Sequence, residues 1–128
     1  MKLIIGGRAQ GKLRYVLEQY PADDCTILDC AQMKEWQKQE QKKIIINHFH
    51  EWVRESIRNG EDTECVVWEY LHRNPDCIII SDEVGNGIVP IDALEREYRE
   101  RLGRMLIEIA KEAVEVERVI CGLGQKIK

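Results

Sequence analysis

The stretch Leu3-Ile4-Ile5-Gly6-Gly7-Arg8-Ala9-Gln10-Gly11-Lys12-Leu13 joins a short apolar run to a glycine-spaced turn. A helical pattern follows from Lys12 to Tyr20 and is closed by Pro21. A continuous apolar run ended by glycines suits a parallel strand buried on both faces. A glycine, four residues, then Gly11-Lys12 is the spacing of a phosphate-binding loop. Such a loop turns its backbone N–H groups inward around an anion, which demands small residues and unusual dihedrals. The following helix adds its positive end, and the Lys12 ammonium reaches the β/γ-phosphates. A glycine-rich strand-to-helix turn without any ligand has the same composition, but the flanking strand and helix favour phosphate. Gly6, Gly7, Arg8, Ala9, Gln10, Gly11, Lys12 and Leu13 are therefore the expected cradle of a nucleoside triphosphate, ATP or GTP, with Lys12 also catalytic. Leu13 stands where a Ser or Thr hydroxyl would bind Mg²⁺. A water can fill that position at some cost in affinity, because Mg²⁺ usually keeps several waters.

Working outward, Thr26-Ile27-Leu28 reads as a second strand ending at Asp29, and Cys77-Ile78-Ile79-Ile80 as the strongest buried strand. The latter runs into Ser81-Asp82-Glu83 and the glycine-spaced loop Val84-Gly85-Asn86-Gly87. Val119-Ile120-Cys121 is the last predicted strand, stopped by Gly122. Helical patterns cover Met33 to Ile57, with Ile45, Phe49, Trp52, Val53 and Ile57 at helical spacing, and Asp62 to His72. A long helix follows Pro90, with Asp92 as N-cap and Glu95 three residues on. Strands separated by helices imply right-handed crossovers and a parallel sheet. The expectation is a P-loop NTPase-like three-layer α/β domain, single over residues 1–128, with a small, mainly parallel sheet of about four strands.

Ligands of such sheets bind beyond the carboxyl ends of the strands. The glycine turn, Asp29 and Asp82-Glu83 all fall there. Asp29 and Asp82 are the expected Mg²⁺ carboxylates, although each alone could be a solvated strand end or a helix cap. Glu83 is the candidate catalytic group near an acceptor hydroxyl.

The chain has 128 residues, 44% hydrophobic and 33% charged, which fits one globular domain with a heavily solvated surface. A net charge of -4 provides no electrostatic footprint for nucleic acid. The apolar run after Met1 is too short for a signal peptide or a spanning helix, so neither membrane nor export is expected and the expected compartment is the cytoplasm. Five cysteines without a Cys-x-x-Cys pair read as reduced thiols, in agreement with that compartment. His48 and His50 lie two apart, which on a helix points them to different faces. They are expected to be ordinary surface or boundary histidines, as is His72. Trp36, Trp52 and Trp68 fall in helical segments and are expected in the core or an interface.

These residues together resemble a known family. Ile4 to Lys12 resembles the opening of the bifunctional adenosylcobinamide kinase / adenosylcobinamide-phosphate guanylyltransferase family. Ser81-Asp82-Glu83-Val84-Gly85-Asn86-Gly87-Ile88-Val89-Pro90 is similar to that family's Glu-Val-Gly loop, where Asn is usual at the place of Asp82. Leu94 to Gly103, Cys121-Gly122-Leu123 and Lys128 continue the likeness, and Asp29 to Trp36 resembles the family's Asp-Cys-Leu-Thr-Leu-Trp segment in weakened form. The likeness is clear over the first 20 residues and most of 77–128, and loose between. It implies a purine nucleotide with Mg²⁺, a corrinoid substrate phosphorylated on its side-chain hydroxyl in cobalamin biosynthesis, and a homo-oligomer, a trimer. Family members also carry a guanylylated histidine on a helix between the second strand and the Asp-Cys-Leu-Thr segment. Only Tyr20 to Thr26 separates the first helix from the strand leading to Asp29, so that region is missing and the guanylyltransferase step is expected to be lost. The alternative is a non-catalytic nucleotide- or corrinoid-binding, regulatory protein of the same fold.

Overall fold

The computed structural model describes residues 1–33, 42–83 and 92–128. Its strands are β1 (Lys2–Gly6), β2 (Cys25–Leu28), β3 (Lys43–Ile46), β4 (Ile78–Asp82), β5 (Glu115–Ile120) and β6 (Leu123–Lys126). Its helices are α1 (Lys12–Gln19), α2 (Cys30–Met33), α3 (Phe49–Arg58), α4 (Thr63–Arg73) and α5 (Ala93–Glu112). The strands form one six-stranded sheet in the order β2-β3-β4-β1-β5-β6. Every pair is parallel except β5 with β6.

Two strands correct the expected count of about four. Ile44, Ile45 and Ile46 do not continue a helix: the predicted Met33–Ile57 helix begins at the last residue of α2 and contains β3 and most of α3, with residues 34–41 outside the described residues. β3 pairs with β2 and β4 along its edges, and its faces lie in the two cores, Ile44 and Ile46 in one and Ile45 in the other, so all three isoleucines are buried. A strand apolar on both faces has no period of two, and Ile45 happens to fall in phase with the helical stripe of α3. The second missed strand, β6, lies on the open edge with every residue exposed. It pairs back on β5 through a two-residue turn, Cys121-Gly122, with φ of 50° and 75°. Positive φ at both central residues matches the twist of a tight hairpin. Cys121, expected in a strand, thus belongs to that turn.

The sheet is covered unequally on its two faces. Ile4, Ile45, Ile78, Ile80 and Val119 pack with Val16 of α1. Leu3, Leu28, Ile46, Ile79 and Val116 pack with Phe49, Trp52 and Val53 of α3, Val67 and Leu71 of α4, and Leu102, Met105 and Ile109 of α5. Three layers result, the second face carrying most of the apolar mass. The Asp92 carboxylate caps α5 as expected, accepting the Leu94 N–H at 2.8 Å. Among the described residues, no helix is long and apolar enough to cross a membrane.

This topology positions the site. β1 and β4 are neighbours, with Gly6 opposite Asp82 at their carboxyl ends. The helix after β1 packs on one face, and the helix after β4 on the other. Chains diverging from adjacent parallel strands open a crevice, the usual ligand position of such sheets.

Candidate functional site

Gly6 ends β1 where the backbone is crowded. A Cβ there would lie 2.5 Å from the Val119 carbonyl oxygen and 3.3 Å from Lys12 Cδ, so only glycine fits. Ala9 and Gly11 have φ of 56° and 81°, and Gly11 enters α1 without a side-chain cap on the helix N–H groups. The first turn therefore keeps its donors for another acceptor. Gln10 ties the loop to the β5–β6 turn: its side-chain oxygen accepts the Cys121 N–H at 2.7 Å and its carbonyl the Gly122 N–H at 2.9 Å.

The Lys12 ammonium folds back over this loop. It donates to the Gly7 carbonyl at 2.6 Å and lies 2.7 Å from Asp82 Oδ1, with the side chain almost fully buried. Asp82 also meets His50. Its N–H donates to His50 Nδ1 at 3.0 Å, and its Oδ2 is 3.4 Å from Nε2. A nitrogen that accepts an N–H carries no proton, which assigns the Nε2–H tautomer to His50. Burial depresses the imidazole's pKa, against the opposing pull of Asp82 and Glu51, so neutral His50 is favoured.

The histidine expectation is corrected in part: His48 is exposed as expected, but His50 is not a surface residue. His48 precedes α3 with φ 53° and ψ 47°, so the helical spacing argument does not govern it. The two rings meet edge to face at 5.7 Å, and both line one cavity. His50 is buried. His72 is on the surface as expected, 3.3 Å from Glu112.

The two expected metal carboxylates are not brought together. β3 separates β2 from β4, and Asp29 at the end of β2 holds His48 Nδ1 at 3.1 Å. Glu83 is engaged elsewhere too: its Oε2 accepts Arg118 Nη2 at 3.0 Å, and its N–H donates to the Gly6 carbonyl at 2.8 Å. No group of three or more His, Cys, Asp or Glu among the described residues could hold a metal ion by itself.

The crevice widens into a cavity of about 650 Å³, lined by Arg8 to Arg14, Asn47, His48, His50, Glu51, Arg54, Ile80, Asp82, Glu95, Tyr98 and Arg99. Its volume is in the range of small-molecule sites. Five of its lining residues are Arg or Lys and three are Asp or Glu, a balance that suits a polyanion. Arg54 pairs with Glu95 and stacks 5.5 Å from the Tyr98 ring centroid, which stiffens the wall opposite the loop. Arg54, Tyr98 and Arg99 escaped the sequence reading, and His48 and His50 were set aside there as ordinary histidines. One signal was present: with Ile44 to Ile46 taken as a strand, Asn47-His48-Phe49-His50 falls at its carboxyl end, like Asp29 and Asp82.

Residues 7–127 match the model of the family described as cobinamide kinase / cobinamide phosphate guanyltransferase. The bifunctional adenosylcobalamin biosynthesis protein CobU of Escherichia coli (strain K12) is 43% identical over 51 residues, 40% of this chain and 28% of that protein. The protein of the same name from Salmonella typhimurium (strain LT2) matches to the same extent. The aligned stretch thus spans 28% of the length of these curated relatives. On the family match, which covers almost the whole sequence, the chain belongs to the cobinamide kinase / cobinamide phosphate guanyltransferase family.

Proposed function

We propose that this chain binds a purine nucleoside triphosphate, ATP or GTP, with Mg²⁺ at the Gly6–Lys12 loop and phosphorylates the side-chain hydroxyl of adenosylcobinamide. The observation that carries this reading is the buried Lys12 ammonium, held between the Gly7 carbonyl and Asp82 at the β1–β4 crevice. The surroundings fit a triphosphate: a glycine that tolerates no Cβ, an uncapped helix N-terminus and a cationic cavity. Gly6 to Leu13 cradle the phosphates by backbone N–H groups. Lys12 exchanges one of its two contacts for a phosphate oxygen and neutralises charge that develops in transfer.

In this reading Asp82, the carboxylate beside Lys12, would hold Mg²⁺ once a phosphate takes over its contact with the ammonium. With one protein carboxylate, the remaining ligands would come from phosphate and water, a usual arrangement for this ion. When bound, Mg²⁺ supplies charge neutralisation at the phosphates. Asp29 is committed to His48. Glu83 is committed to Arg118, and its N–H on the Gly6 carbonyl holds the end of β4 against the start of the loop. In this reading catalysis is positioning and electrostatic stabilisation rather than covalent chemistry.

The proposal leaves out the guanylyl transfer named in the family description, because the sequence offers no counterpart of the family's histidine-bearing helix ahead of the segment that begins at Asp29. Cytoplasmic location and the absence of nucleic-acid partners belong to the same proposal, supported by five cysteines without a Cys-x-x-Cys spacing and by the net charge of -4. Leu13 favours a second reading, a nucleotide- or corrinoid-binding protein that does not catalyse. The test is incubation with ATP or GTP, Mg²⁺ and adenosylcobinamide, followed by mass spectrometry of the corrinoid. A kinase adds one phosphoryl group and turns over nucleotide only with acceptor present. A binder shifts its melting temperature and turns over nothing.

A further inference from the structure

His48, on the wall of the same cavity, forms a second polar constellation with Asp29 behind it, and neither the loop nor the Lys12–Asp82 pair uses it. His48 Nδ1 lies 3.1 Å from Asp29 Oδ1. An ionised carboxylate only accepts, so the proton of neutral His48 sits on Nδ1 and Nε2 keeps its lone pair. The Asn47 amide is 3.4 Å from the same Nδ1, and the His50 ring stands edge-on at 5.7 Å. Among the described residues, Asp29, Asn47 and His50 face this imidazole. Its side chain is 53% exposed, on the wall of the cavity that also contains Lys12 and Asp82.

His48 also occupies left-handed backbone, with φ 53° and ψ 47°. That conformation is uncommon for a residue with a Cβ, and such outliers concentrate where the surroundings hold a side chain for a task. Glycine or asparagine would end β3 and begin α3 at less cost. The carboxylate–imidazole arrangement, with the far nitrogen unprotonated, is the tautomer a general base needs.

We propose that His48, oriented by Asp29, is the proton acceptor for the hydroxyl that receives the phosphoryl group. This rests on the kinase reading above. The hydroxyl oxygen forms a bond to the γ-phosphorus while the bond from that phosphorus to the β,γ-bridging oxygen breaks. The hydroxyl proton passes to His48 Nε2, the nucleoside diphosphate leaves, and His48 returns the proton to solvent. His48 is the catalytic residue of this step and Asp29 a positioning residue. Asp29 then serves the imidazole instead of the metal.

The test is His48→Gly, a substitution the left-handed backbone accepts, so folding is preserved. With saturating ATP, Mg²⁺ and adenosylcobinamide, kcat is expected to fall about 100-fold or more, the usual worth of a general base. ATP affinity stays within about twofold, since phosphate binding lies elsewhere. Free imidazole restores part of the rate, and Asp29→Asn lowers kcat without abolishing it. A His48→Gly enzyme with wild-type kcat overturns this assignment alone and leaves the kinase reading standing. Wild-type protein that phosphorylates no adenosylcobinamide overturns both. A readout independent of turnover is the ¹⁵N resonance pattern of the His48 ring. Protonated Nδ1 with unprotonated Nε2, lost in Asp29→Asn, is expected, whereas a protonated Nε2 in the neutral ring overturns the assignment.

Discussion

Gly6→Ala probes the tightest point of the site. The added Cβ would stand 2.5 Å from the Val119 carbonyl oxygen, where ordinary contact begins at 3.4 Å, so the two groups must separate by nearly an ångström. Neither is a flexible side chain. Gly6 and Val119 face each other in the β1–β5 ladder, and the Gly6 carbonyl also accepts the Glu83 N–H. Overpacking against fixed backbone costs about 1–3 kcal/mol. A value near ~2 kcal/mol lowers the folded-to-unfolded ratio roughly 30-fold and leaves the domain folded. The same methyl presses on Lys12 Cδ at 3.3 Å, so the ammonium is displaced and triphosphate binding weakens as well. Equilibrium urea unfolding reads the first effect, as a lower midpoint at unchanged m-value. Gly7→Ala is the control, because its Cβ would meet only Gln10 Cγ at 3.5 Å. Equal stability of Gly6→Ala and wild type, or equal damage in both variants, would refute the packing argument.

Three further outcomes follow from the site. Burial holds the His50 pKa below its usual value, and unfolded histidine titrates near ~6.5, so the unfolded chain binds more protons below that pH. Stability from neutral His50 is therefore full above pH ~6.5 and declines as pH falls below it; His50→Gln should show a shallower decline in denaturant titrations between pH ~5 and ~6.5, and an unchanged slope contradicts the assignment. Leu13→Ser should strengthen Mg²⁺-dependent nucleotide binding several-fold, about 1 kcal/mol, with metal-free binding unchanged. Because Leu13 packs partly buried beside Ile4 and Val16, the swap also lowers stability, and loss of stability without any metal-dependent gain refutes the ligand argument. Cys65 and Cys121 are exposed, whereas burial pushes the Cys77 thiol up to about 11; thiol titration of native protein should modify the first two and spare Cys77 until unfolding.

Much of the fold was legible where chemistry is local. Leu3 to Lys12 announces strand, turn and helix through glycine spacing alone, and Asp92 announces the start of α5. The missed parts depend on neighbours distant in sequence. Ile44 to Ile46 became a strand because β2 and β4 flank it, a fact no window around residue 45 contains. Leu123 to Lys126 has almost no apolar signal and exists as a strand because its turn folds it onto β5.

The site divides in the same way. The loop was readable because its chemistry is backbone geometry, which glycine placement encodes. The partners of Asp29, Asp82 and Glu83 were not readable, since His48, His50 and Arg118 reach them only after β3, α3 and β5 have packed. Asp29 shows the consequence most clearly. Its position after a strand suggested a metal ligand, and its neighbour turned out to be an imidazole.

Isothermal titration of wild type and Lys12→Ala with ATP and GTP, each with and without Mg²⁺, tests the central claim most directly. Wild type is expected to bind triphosphate more tightly with Mg²⁺, and Lys12→Ala to lose tenfold or more, since a charge-assisted contact contributes about 1.5–3 kcal/mol. Adenosine and guanosine, which lack phosphates, should bind both proteins alike. Wild-type protein that takes up neither triphosphate, or a Lys12→Ala variant that binds both as tightly as wild type, would contradict a phosphate site at the Gly6–Lys12 loop.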